Sequence, residues 1–250
     1  MKQIAYLAFL CAFAATTGSA AVLLGVSDTD PYIGVDLTAN GTVDWAVWDH
    51  RSNSGVASRA ASNTKSGGPG LFSAITPIGE GNVRGFSQSS SFGEQTFSFT
   101  DGTDPETYAL APISFVAHST LDTVGRGLSL TIQGDPAQLY KVDIWTAGYR
   151  AVGQLTATLN GADPLVLESR AFESDKDPSL FTITFRPDNA EDLLNLEFIL
   201  TVDNDNGNNA HVGIQAITVS AVPEPVAGLF VWSGLLALAA PRRRKRSGSD

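Results

Sequence analysis

The chain has 250 residues, 24 of them Gly and 12 Pro; it is 43% apolar, only 17% charged, and contains one Cys. Its supply of Phe, Leu, Ile and Val excludes disorder and suits one middle-sized domain with a sizeable core. A formal charge of −10 argues against a nucleic-acid partner, which needs Lys and Arg clustered on the folded body, and the lone Cys excludes both a disulfide framework and a thiolate metal cluster.

Residues 1–20 read as a secretory signal peptide. Lys2 is a short basic start, Ile4 to Ala15 is apolar, and Gly18-Ser19-Ala20 or Ser19-Ala20-Ala21 supplies the small residues that a signal peptidase accepts. Cleavage is expected after Ala20 or Ala21. The apolar run is shorter than the ~20 residues needed to span a bilayer, which disfavours an uncleaved anchor. Cys11 lies within it and leaves with it.

The body, residues 21–221, has a period of two, the mark of half-buried strands. Val43, Trp45 and Val47 alternate with Asp44, Ala46 and Trp48. Residues 52–70, rich in Ser, Gly, Asn and Ala, read as a long surface loop. Alternation resumes at Phe97 and Phe99, then at Leu128, Leu130 and Ile132, then at Tyr140, Val142 and Ile144 against Lys141, Asp143 and Trp145. It continues through Leu155 to Leu159, Phe181 to Phe185, Leu194 to Val202, and Val212 with Ile214. Turn signals separate the runs: Asn40-Gly41, Asp101-Gly102, Gly134-Asp135-Pro136, Asn160-Gly161 and Asn206-Gly207. Many short alternating strands with few helical stretches predict an all-β fold, an antiparallel β-sandwich or barrel.

On this phase Trp48 and Trp145 point away from the core. With Tyr149 and Arg150, which lie at a turn, they are the candidate glycan contacts, because a flat ring can stack on a pyranose while polar neighbours take its hydroxyls. The plainer reading is packing on a second face, since a one-residue slip reverses every side chain. The candidate metal residues are Asp203, Asp205, Asn206 and Asn208, whose oxygens around a Gly turn suit Ca2+. Asp28, Asp30 and Asp36 would join them only if the fold brought them close. The plainer reading is a polar hairpin between the flanking strands. No G-x-S-x-G, H-E-x-x-H, P-loop or G-x-G-x-x-G pattern occurs, and His50, His118 and His211 lie far apart in sequence, so no catalytic constellation is expected.

The C-terminus is tripartite. Val222, Pro223, Glu224 and Pro225 form an extended motif, since two prolines around a glutamate cannot sit within a helix. Residues 226–240 are uncharged and mainly apolar, long enough for a short transmembrane helix of about 22 Å. Arg242, Arg243, Arg244, Lys245 and Arg246 follow as a basic stop cluster that belongs on the cytoplasmic side.

Motif, span and cluster in that order resemble the PEP-CTERM sorting signal of Gram-negative bacteria. The resemblance implies recognition by an exosortase, a transient anchor in the inner membrane, and removal of residues 222–250 as the protein reaches the cell surface or extracellular polymer. A second resemblance is carried by Phe97-Ser98-Phe99-Thr100-Asp101-Gly102-Thr103, by Gly127 to Ile132, Tyr140 to Tyr149 and Leu155 to Leu159, and by Gly213 to Val219. It is similar to the jelly-roll sandwich of galactose-binding-like domains, a fold that hosts lectin-like modules and plain structural domains alike.

Setting aside Lys2 and the five basic residues of the tail leaves 10 of 16; setting aside Glu224 and Asp250 leaves 24 of 26 acidic ones, so the body carries −14. The expectation is an exported, surface-sorted, non-catalytic β-sandwich that builds or associates with extracellular matrix. The alternative is a carbohydrate-binding module, with Ca2+ as a candidate cofactor and extracellular polysaccharide as the partner. An extracellular hydrolase is disfavoured.

Overall fold

The computed structural model describes residues 21–28, 34–50, 54–86, 95–112, 114–172, 178–207 and 209–223. The expected signal peptide, Glu224, Pro225, the apolar span and the basic cluster lie outside the described residues. Within them, no helix is long and apolar enough to cross a membrane.

The elements in chain order are β1 (Val22–Asp28), β2 (Gly34–Asp36), the one-turn helix α1 (Leu37–Asn40), β3 (Asp44–Val47), β4 (Asn63–Thr64), β5 (Thr76–Ile78), β6 (Val83–Phe86), β7 (Thr96–Phe99) and β8 (Tyr108–Pro112). There follow β9 (Phe115–His118), β10 (Gly127–Gln133), β11 (Tyr140–Tyr149), β12 (Ala151–Thr158), β13 (Leu165–Glu168), β14 (Ser179–Arg186), β15 (Leu193–Asp203) and β16 (His211–Ala221). A large eight-stranded sheet runs β1-β14-β11-β16-β3-β4, with β9 also on β16 and β6 on β9; a five-stranded sheet runs β13-β12-β15-β10-β5. A third, small sheet is β2-β7-β8, in which β2 and β7 are parallel.

The first two sheets make the sandwich, as their alternation requires. Leu128, Leu130 and Ile132 of β10, Leu155 and Ala157 of β12, and Leu194 to Leu200 of β15 meet Val142 and Ile144 of β11, Phe181 to Phe185 of β14, and Ile217 and Val219 of β16. Burying side chains of this size stabilises by about 1.5–3 kcal/mol each, which is why the inward phase of these strands is so regular.

The large sheet is covered on part of its other face as well, over β3, β11 and β16. Trp45, Val47, Trp145 and Ala216 pack under Val35, Leu37, Phe97 and Phe99, so β2, α1 and β7 form a third layer over a second core. Asp101 anchors it, accepting from Trp45 Nε1 at 2.9 Å, Thr38 Oγ1 at 2.6 Å and Lys65 Nζ at 2.5 Å. Burial pushes the Asp101 carboxyl up, but these three donors outweigh it and hold its pKa below the usual carboxylate value.

Residues 54–70 are largely loop, as expected, yet they include β4 and bridges from Val56 to Val83 and Arg59 to Ile75. Two buried side chains tie the segment down. Asp44 accepts from Trp45 N and Leu71 N, each at 2.9 Å. Asn63 accepts from Thr64 N and Thr103 N, each at 2.8 Å, and donates to Pro105 O at 2.9 Å.

Both cores are drawn from residues 21–219, so the body closes its own interior. Its two ends leave together: Leu23 pairs with Phe185, Phe185 with Tyr140 and Tyr140 with Ala221, and the Val222 N–H donates to Leu139 O at 2.8 Å.

Candidate functional site

Trp48 and Trp145 are not glycan platforms. Trp48 is fully buried in the main core, edge-on to Phe72 with centroids 6.4 Å apart, and its Nε1 donates to Arg59 O at 3.3 Å. The phase expected for this strand is reversed: Ala46 and Trp48 face the sandwich, and Trp45 and Val47 face the second core. Trp145 does point away from the main core, but into the second one, perpendicular to Phe97 at 6.0 Å. A sheet covered on both sides buries both phases of its strands, which the sequence presents as ambiguous alternation.

Tyr149 and Arg150 end β11 at the pole opposite the departing tail. Tyr149 is half-buried and stacks on His211 with centroids 6.1 Å apart, while the Arg150 guanidinium lies 5.2 Å from the Tyr149 ring. Arg150 Nη1 also donates to Asp205 Oδ1 at 2.8 Å, and its own φ of 41° sets the turn into β12.

That ion pair answers the calcium expectation. Asp205 Oδ1 is taken by Arg150 and Oδ2 by the Asn209 N–H at 3.0 Å, while Asp203 Oδ1 accepts the Asp205 N–H at 2.8 Å. A guanidinium and a backbone amide engage both oxygens of Asp205, and a second amide engages one oxygen of Asp203, so the loop is braced by the protein's own donors. Asn208 lies outside the described residues, and Asp36 caps α1 by accepting the Ala39 N–H at 3.2 Å. Among the described residues no group of three His, Cys, Asp or Glu is placed to hold a metal. Nor is the segment a hairpin: β15 belongs to the five-stranded sheet and β16 to the large one, so the loop crosses between layers.

Two of the three histidines come together. His118 and His211 line one cavity of about 10 Å³, the size of a single water, each with a buried Nε2 that has no hydrogen-bond partner. Burial lowers both pKa values, that of His211 to about 4, so both rings are neutral at ordinary pH. His211 Nδ1 bonds Asn209 O, and the ring is stacked against Phe86 and Phe115. This is an interior packing unit.

One open feature was not anticipated. The outer face of the five-stranded sheet carries a groove of about 580 Å³, within the range of ligand sites. It is built by register. Glu197 pairs with Ser129 and Ser129 with Thr76; the next row runs Thr158, Asn195, Thr131. Each of these is the outward phase of a strand whose inward phase fills the main core. Thr76 Oγ1 and Ser129 Oγ share a hydrogen bond of 2.8 Å, and Ser73 Oγ accepts the Thr131 N–H at 2.9 Å, which fixes one wall. Among the described residues the lining holds no aromatic ring and no cation, and Glu197 is its one carboxylate.

A smaller cleft of about 130 Å³ opens beside the second core between Asp49, Asn63, Asp104, Phe99 and Tyr108. Tyr108 stacks on Phe99 at 5.5 Å there, and Asp49 Oδ1 accepts the Ser114 N–H at 2.7 Å.

No family model matches the chain, and neither does any curated protein. Among solved structures it is similar to the enzymatically active domain of tailspike protein 4 of bacteriophage CBA120, with 10% identity, 61% of this chain and 19% of that one covered, and a TM-score of 0.37. It is also similar to a carbohydrate-binding module solved in complex with β-1,4-galactotriose, with 14% identity, coverage of 60% and 88%, and a TM-score of 0.31. The chain spans about a fifth of the length of the tailspike chain. Likenesses this distant assign no ligand and no reaction.

Proposed function

We propose that the protein is exported, sorted to the cell surface through residues 222–250, and acts there as a non-catalytic β-sandwich associated with extracellular polysaccharide. The observation that carries the binding reading is the groove on the five-stranded sheet, open among the described residues and lined by hydroxyl, amide and carboxylate side chains, against the third layer packed over Trp45 and Trp145. Hydroxyl, amide and carboxylate groups converging on one open surface are the partners that sugar hydroxyls take. The tether is supported by topology. Both ends of the body leave at one pole, and the ten residues of β11 set Tyr149 about 30 Å away from it. A body held by its tail thus keeps its far pole and both flanks in the medium. Within the sandwiches we assign the chain to the galactose-binding-like jelly-roll kind, on the strands that carried the resemblance, with β2-β7-β8 as an added layer.

A glycan array probed with residues 21–223, with Ca2+ and with EDTA, tests the binding reading. Binding in both conditions is expected; no binding to any glycan would sink it. For the sorting signal, mass spectrometry of the mature protein is expected to find a C-terminus upstream of residue 226. A chain still ending at Asp250 refutes processing.

A further inference from the structure

We infer that the groove on the five-stranded sheet holds an extended, hydroxyl-rich polysaccharide without acidic groups, lying across the strands, and that Glu197 is the residue that rejects acidic chains. This rests on the polysaccharide reading above and adds the ligand's charge, shape and direction.

The direction follows from the rows. Glu197, Ser129 and Thr76 succeed one another on three neighbouring strands, and Thr158, Asn195 and Thr131 run beside them on three. Neighbouring strands are about 4.8 Å apart, whereas successive outward residues along one strand are nearly 7 Å apart. The dense direction of hydrogen-bonding groups is therefore across the sheet. A chain that meets a new hydroxyl or amide at every strand must be extended along that direction, and the two rows together span four strands, or about 14 Å.

The mode of contact follows from what is missing. With no ring in the lining among the described residues, the groove lacks a stacking platform. Recognition falls to hydroxyl-to-hydroxyl bonds, to the Asn195 amide and to the two oxygens of Glu197. Thr131 and Ser129 are half-buried while Thr158, Asn195 and Glu197 are exposed, so the floor is firm and the far wall is wet. Each bond made against water contributes little, so affinity must accumulate along the chain.

The charge follows from Glu197 and its setting. It begins the first row, next to Ser129 and beside Asn195 of the second, with no cation in the lining among the described residues, on a body that carries −14. A carboxylate there accepts two neighbouring sugar hydroxyls, or an ammonium, and repels a uronate or sulfate.

The test uses residues 21–223 and isothermal titration with three ladders from disaccharide to hexasaccharide: β-1,4-glucose, β-1,4-glucosamine and galacturonic acid. Binding of the neutral or the amino ladder, strengthening with each added sugar, and none of the acidic ladder are expected. Asn195→Ala with Thr131→Val should weaken that binding about tenfold or more while the melting temperature holds. Glu197→Gln should let the acidic ladder bind. A wild-type body that binds galacturonic acid chains overturns the inference, as does glycan binding that the groove variants leave intact and Tyr149→Ala abolishes; in both cases the polysaccharide reading survives. Failure of every glycan here and on the array removes the reading itself.

Discussion

The two outer faces of the sandwich start from the same kind of sequence and end differently. On β3, β11 and β16 of the large sheet the outward phase carries Trp45, Val47, Trp145 and Ala216, and a third layer has been laid over them. On the five-stranded sheet the outward phase carries Thr156, Thr158, Asn195, Glu197, Ser129 and Thr131, and it stays open. An aromatic in the second phase of a strand is expensive to leave in water, so it marks a covered face. A run of Thr, Ser and Asn there marks a wet one, because these groups lose little in water and would need partners if covered.

The sharpest way to break this contrast is to truncate one residue on each face. Trp45→Ala should cost about 3–5 kcal/mol in urea denaturation, since it empties a fully buried site and takes a donor from Asp101. Thr131→Ala on the open face should change stability by no more than about 0.5 kcal/mol. Equal costs would mean that the third layer does not seal the large sheet.

The next largest effect belongs to the interior between the faces. His211 has its folded pKa lowered by burial to about 4 from an ordinary 6.5. Between those values the unfolded chain takes up a proton and the folded one does not. His211 alone should therefore lower stability by about 3 kcal/mol as pH drops from about 6.5 to about 4, and add no further loss below. His118, lowered in the same direction, adds to the fall. In His211→Phe the urea midpoint should depend less on pH over that window; an unchanged slope would place the titration elsewhere.

Gly127→Ala comes third. Gly127 pairs with Ile199 in β10, and a Cβ there would run into the backbone of Phe198 and Ile199. The expected loss is about 1–3 kcal/mol by thermal melting. The smallest effect is on the exposed edge strand: Leu24→Ser, at a position 64% exposed, should stay within about 0.5 kcal/mol. A larger loss would show that β1 has a cover of its own.

Much of the fold was legible. The inward phases of β10, β11, β12, β14 and β15 are where the alternation of Leu128, Val142, Leu155, Phe181 and Leu194 places them, because each strand buries one face against the same core. Less was legible where one strand serves two cores. Trp48 and Trp145 looked like outward rings, and both are interior. Asp44 looked like a solvent-facing residue, yet it is buried and holds Leu71. The loop of Asp203 and Asp205 offered oxygens for calcium, and its counter-charge, Arg150, lies more than fifty residues earlier in the chain. The groove was not legible at all, since positions 76, 129, 158, 195 and 197 become neighbours only through strand register.

By itself the sequence determined the period of two, the turns that divide the strands, the all-β class, and the acidic character of the body. These are local or additive properties of side chains. Only the tertiary structure decided which outward faces are covered and which residues line the open one. A strand's second face is buried or wet according to what lies opposite it, and no residue carries that information alone.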